Sequence, residues 1–251
     1  SGDMLRRPRA SSGAPGSRRA GQSRASAAVA RDTRMHLYLG IFLVALSGLM
    51  FEVGLTRIFS ATIWYHFAFL PISVALLGWG LGGFALHLVR RRVAFSTGRA
   101  GVFVALYGLS IPLALWLIVR LPFHPDRLAF YFAASLLPFL LAGVALSMLF
   151  AVHREEADRL YFADLLGASL GALAVTFLLS WLGGENAVLA TALAPLAAAA
   201  LIEPRLRGVS VVAVVLVLAA IGVNERSGLF KIHSAPTKGL YRHVAANPGT
   251  S

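Results

Sequence analysis

Residues 37–59 read LYLGIFLVALSGLMFEVGLTRIF, twenty-three positions with Glu52 and Arg57 as the only charges. About 20 such residues, at ~1.5 Å rise each, carry a helix across the ~30 Å hydrocarbon layer of a bilayer. The pattern repeats outward from this stretch. Apolar runs follow at about Ile63–Val89, Val102–Val119, Leu128–Val152, Tyr161–Leu182, Ala187–Ile202 and Val209–Val223. Seven spans are predicted, and the fold class is an all-α, polytopic membrane helix bundle. The sixth and seventh runs are short, which leaves open a re-entrant segment or a different division of that pair.

Composition agrees. The chain of 251 residues is 57% hydrophobic and 14% charged, with a mean hydropathy of +0.72. A water-soluble domain carries roughly 45–50% apolar and about 25% charged residues, so a soluble globular enzyme and a disordered chain are both excluded. The absence of cysteine excludes disulfides, thiolate metal sites and cysteine nucleophiles, and leaves the redox compartment open.

Residues 1–35 are rich in Arg, Ser, Ala, Gly and Pro. Such a segment buries too little apolar area to offset its ordering entropy and reads as a flexible basic tail, with a composition that also suits a transit peptide. Met35 is an alternative start. The predicted organisation is this tail, a transmembrane domain over 36–224, and a short polar tail over 225–251.

The net charge of +12 is distributed by side. Eight arginines lie in the first 34 residues. With Arg90, Arg91, Arg92, Arg99, Arg154, Arg159, Arg205 and Arg207 they make sixteen basic residues on one side of the seven-span scheme, against seven on the other. This bias predicts a cytoplasmic N-terminus. Basic residues beside spans meet anionic headgroups, and no stretch interleaves them with aromatics as a nucleic-acid surface would. The expected partner is the lipid bilayer, not nucleic acid.

Charged residues inside spans are costly and normally face a protein interior. Glu52 lies about fifteen residues into the first run. Arg57, five residues on, is about 140° around the helix and makes no ideal pair with it. His66, at the start of the second run, is placed to approach either across a tight hairpin. Two readings stand: a proton- or cation-binding site, or a polar clamp on the hairpin with Arg57 reaching the headgroups. Asp164 reads either as an acid favoured by a helix N-terminus or as an ion site or salt bridge to Arg90–Arg92. Gly78 and Gly82, like Gly167 and Gly171, are spaced to let helix backbones approach closely. The stretch Gly78-Trp79-Gly80-Leu81-Gly82-Gly83 is not read as a cofactor loop, because such loops follow a strand. Neither a metal constellation, a cofactor motif nor a catalytic residue is predicted.

Two stretches look familiar: Phe51-Glu52-Val53-Gly54-Leu55-Thr56-Arg57 running into Tyr65-His66-Phe67-Ala68-Phe69, and Tyr161-Phe162-Ala163-Asp164-Leu165-Leu166-Gly167-Ala168. Together they resemble the multi-pass membrane portion of bacterial spermidine synthase-like proteins (polyamine aminopropyltransferase-like), over roughly residues 36–245. In that family the membrane region precedes a soluble domain of methyltransferase fold. About 28 residues follow the seventh run, so the resemblance implies the membrane half alone, in a bacterial inner membrane. Glu52, Arg57, His66 and Asp164 match the membrane motifs, and no catalytic role carries over. The leading expectation is a membrane anchor or scaffold for a polyamine-handling enzyme, partnered by a soluble synthase-type domain. The alternatives are a non-catalytic subunit held to other membrane subunits, and a transporter of protons or polyamine-like cations.

Overall fold

Inside a bilayer each backbone N–H and C=O must be satisfied within the protein, and a helix does this within its own segment. The computed structural model describes the backbone over 15–62, 69–120 and 127–228, and side chains over 31–60, 69–120 and 127–228. Among these residues the chain is helical throughout its ordered elements, with no strand. The α-helices are α1 (Pro15–Thr62), α2 (Leu70–Val89), α3 (Thr97–Arg120), α4 (Leu128–Val152), α5 (Ala157–Thr191), α6 (Leu193–Ile202) and α7 (Arg207–Ser227). The stretch read as a flexible tail is helical from Pro15 on, since arginine and alanine are good helix formers without packing. Residues 1–36 and 37–251 form two compact units. In the first, Asp32 and His36 stand 3.8 Å apart, one turn along α1.

Six segments among the described residues are long and apolar enough to cross a membrane, rather than the seven expected. The difference lies in Arg154–Ile202, a single segment of 49 residues that contains the runs read as the fifth and sixth spans. Helical hydrogen bonding continues past Gly183, whose φ of 75° and ψ of 175° bend the chain sharply. That conformation is open to glycine and strained for other residues. Gly167 and Gly171 lie against the backbone at Phe42 and Leu46, so residues 157–182 run parallel to α1. Val188 lies against Gly54, and Ile202 against Gly40, so residues 184–202 run back antiparallel to it. The one long segment is thus a helical hairpin whose tip is Gly183.

The bundle has two ends. Leu37, the α2–α3 and α4–α5 connections, and the α6–α7 connection lie at the first; Gly183 and the last turn of α7 lie at the second. Packing at the centre joins α1, α3, α4 and the returning limb of the hairpin. Phe51 and Phe139 are tilted together with ring centres 5.1 Å apart, and Tyr131 meets Phe59 edge-on at 6.5 Å. Small residues set the closest approaches. A Cβ on Gly82 would stand 2.6 Å from the Leu140 oxygen, and one on Gly78 would stand 2.5 Å from the Phe139 Cβ. Ala163, Gly167, Gly171 and Val175 form the buried stripe of α5, a small-residue repeat at four-residue spacing. The outer faces of α2, α5 and α7 expose large apolar side chains such as Leu76, Phe177, Trp181 and Leu216. No aqueous surface of this size is apolar in a monomer, whereas lipid accepts it. The chain is an integral membrane protein.

Prolines act differently by position. Pro71 occupies the first turn of α2, where its missing N–H costs nothing. Pro195, in the first turn of α6, has no N–H for the Thr191 carbonyl one turn back. The Ser47 hydroxyl supplies that donor at 2.8 Å and is itself paired with the Tyr107 hydroxyl at 2.9 Å. A sequence-imposed gap in the helix ladder is filled from α1.

Candidate functional site

Glu52 sits on α1 with Ala45, Gly48 and Leu49 on the same side of the helix. At about 100° per residue these four positions fall within an arc of about 100°. The arc has a neighbour on each flank. On one, the Trp79 ring of α2 fills the notch left by Gly48, where a Cβ would stand 2.8 Å from the indole. On the other, α5 presses its glycines against Phe42 and Leu46. Between the flanks lies a partly open cavity of about 220 Å³, lined by Ala45, Gly48, Leu49, Glu52, Trp79, Leu146, Asp164 and Ala168.

The cavity brings together two acids that the sequence places at opposite depths. Asp164 is three residues before Gly167, which lies against Phe42, and is therefore level with about Leu39 of α1, whereas Glu52 is about 13 residues further along. The two carboxylates approach the cavity from positions ~20 Å apart along the helix axis. Both are half-buried. Among the described residues neither side chain has a hydrogen bond or ion pair. The Glu52 carbonyl accepts from the Thr56 hydroxyl at 3.0 Å, within its own helix.

Asp164 is not an N-terminal acid. Because α5 starts at Ala157, the acid in its first turn is Asp158, and Asp164 lies a full turn beyond the free N–H groups. It makes no salt bridge to Arg90, Arg91 or Arg92, which are exposed at the first end. Arg57 is exposed and makes no ion pair with Glu52, in keeping with their five-residue spacing. His66 lies outside the described residues. Gly78 and Gly82 pack on α4, and Gly167 and Gly171 on α1, away from any open space. Among the described residues no group of three or more His, Asp or Glu is placed to hold a metal ion.

Tyr38 lies on the same arc of α1 as Ala45, Leu49 and Glu52, and its hydroxyl donates to Glu156, in the turn that precedes α5. Thr97 and His153 are joined nearby at 2.9 Å, tying α3 to the end of α4.

Sequence reasoning passes over Trp79 as a lining residue, because within a glycine-rich run it reads as one more apolar position. Its register against Gly48 is what makes it a lining residue. Aromatic faces attract alkylammonium groups, worth ~0.5–2 kcal/mol depending on desolvation. A carboxylate in such surroundings is stabilised by protonation or by a cation placed beside it. The arrangement is therefore chemically suited to hold a cation beside a carboxylate and an indole. Comparison with family models, curated proteins and solved structures gives no match to this chain.

Proposed function

We propose that this chain is the membrane domain of a polyamine-handling system and holds a cationic amine in the cavity between α1, α2 and α5. The observation that carries the reading is the shared cavity: Glu52 and Asp164, from two helices, line one space with Trp79 and have no cationic partner there. The resemblance to spermidine synthase-like membrane regions supports the amine as the cation. The positive-inside bias supports a bacterial inner membrane with the first end cytoplasmic.

Proteoliposomes containing the full chain test this with radiolabelled spermidine. Glu52→Gln and Asp164→Asn are each expected to lower retained or transported spermidine about tenfold, the effect of ~1.4 kcal/mol. Both variants keep side-chain shape and remove no hydrogen bond. Unchanged spermidine handling in both sinks the reading.

A second reading is favoured by one observation. Arg90, Arg91, Arg92, Arg99, Arg154, Arg159, Arg205 and Arg207 are all exposed at the first end. Such a basic end suits the docking of an acidic soluble partner, as an anchor for a synthase-type enzyme would require. Copurification of a soluble synthase from the native membrane, lost on replacing Arg90–Arg92 by serine, is the outcome this reading expects.

A further inference from the structure

We propose that the cavity is filled sideways from the hydrocarbon layer, through the gap between α2 and α5, and that its ligand is an amphipathic cation with an alkylammonium head and an apolar chain. This rests on the reading of the cavity as a cation site and adds the route and the second half of the ligand.

The route follows from what surrounds the cavity floor. Ala45, Gly48, Leu49 and Glu52 occupy the arc of α1 between its contact with α2 and its contact with α5. Helix α2 packs along α4, and α5 packs along α1 and α7; α2 and α5 have no extended contact with one another. No described helix bridges the gap. On the first-end side, Tyr38 on that same arc is bonded to Glu156 and ties α1 to the turn before α5. The walls continue outward as lipid-facing surface, with Leu76 on α2 and Leu165 on α5 exposed. A charged solute from water meets apolar surface on this path, whereas a molecule already partitioned into the bilayer does not.

The ligand class follows from the lining. Six of the eight residues, all but Glu52 and Asp164, are apolar. A fully hydrated small cation would leave that surface wet and unused, while an alkyl chain would cover it. The head would lie by a carboxylate and the Trp79 ring, which favours substituted ammonium groups.

The test uses the full chain in liposomes and a diazirine-bearing dodecyltrimethylammonium photoprobe. The expected adducts lie on Leu49, Trp79, Leu146 or Ala168. Unlabelled dodecyltrimethylammonium should suppress them at about a tenth of the concentration needed for tetramethylammonium, and dodecanol should not suppress them. Ala168→Phe narrows the gap without touching either acid and should cut the adducts by a similar factor; Leu49→Phe is a second such variant. Adducts confined to the outer faces of α5 and α7 would overturn the proposal. Equal competition by tetramethylammonium, with adducts lost in Glu52→Gln, would overturn lateral entry while leaving the cation site standing. Adducts in the cavity that no cation suppresses and that persist in Glu52→Gln and Asp164→Asn would overturn both.

Discussion

Two kinds of polar residue sit inside this bundle, and their partners separate them. Ser47, Tyr107, Asn186 and Asn224 are buried and bonded: the Asn224 amide donates to the Asn186 side-chain oxygen at 2.7 Å, and Ser47 serves both Tyr107 and the Thr191 carbonyl. Glu52 and Asp164 are half-buried and have no side-chain partner among the described residues. The first set closes gaps in the scaffold; the second lines the cavity beside Trp79. Ser47→Ala should cost about 1–3 kcal/mol, because it strands the carbonyl that Pro195 already deprives of a donor. Tyr107→Phe removes only a hydroxyl pair and should cost less, around the ~0.6 kcal/mol average for hydrogen bonds inside membranes. If the cause is the missing proline N–H, Pro195→Ala should relieve part of the Ser47→Ala loss. A double-mutant cycle read by reversible unfolding in mixed micelles measures this, and strictly additive losses would refute it.

Among the helices, the hairpin at Gly183 matters most for the site. It turns one 49-residue segment back on itself, so that α5 flanks the cavity while its returning limb packs in the centre of the bundle. A side chain added at Gly183 meets nothing within 4 Å, so crowding cannot explain a substitution there. Gly183→Ala should nonetheless destabilise by about 1–3 kcal/mol through the φ of +75° alone. Gly208→Ala is the matched comparison, equally open and without positive φ, and should be close to neutral. Equal thermal midpoints for the two variants would show that the bend carries no strain. The close helix approaches were legible as glycines four apart. Their partners were not, because a GxxxG face fits any small surface and says nothing about which helix supplies it.

For the whole molecule, the contacts around α1 fix an alternation of direction. Residues 157–182 run with α1 and 184–202 against it, which places Arg91, Arg154 and Arg205 at one end and Arg120 and Glu185 at the other. The chain has no cysteine, so single cysteines at these positions report topology without a background. Arg91→Cys, Arg154→Cys and Arg205→Cys should react with an impermeant maleimide from one side of the membrane, and Arg120→Cys and Glu185→Cys from the opposite side. Labelling of Glu185→Cys and Arg205→Cys from the same side would mean that the returning limb does not cross, and the cavity would lose the α5 wall described above.

Hydropathy by itself determined that this is an all-α membrane bundle, because runs of about 20 apolar residues have one stable form in lipid. The bounds of α4 could be read directly, since Arg127 and His153 flank an uninterrupted apolar run. The break between the fifth and sixth apolar runs was legible at residues 183–186, and the turn falls there at Gly183; the continuity of the helical segment through it was not, because hydropathy averages over a window whereas a reversal is made by one dihedral pair. The meeting of Glu52, Asp164 and Trp79 was decided by tertiary structure alone. These residues are spread over positions 52 to 164 on three helices, and a shared cavity depends on the rotation and register of each helix, which the packing of Gly48, Gly167 and Gly171 sets and no local pattern encodes.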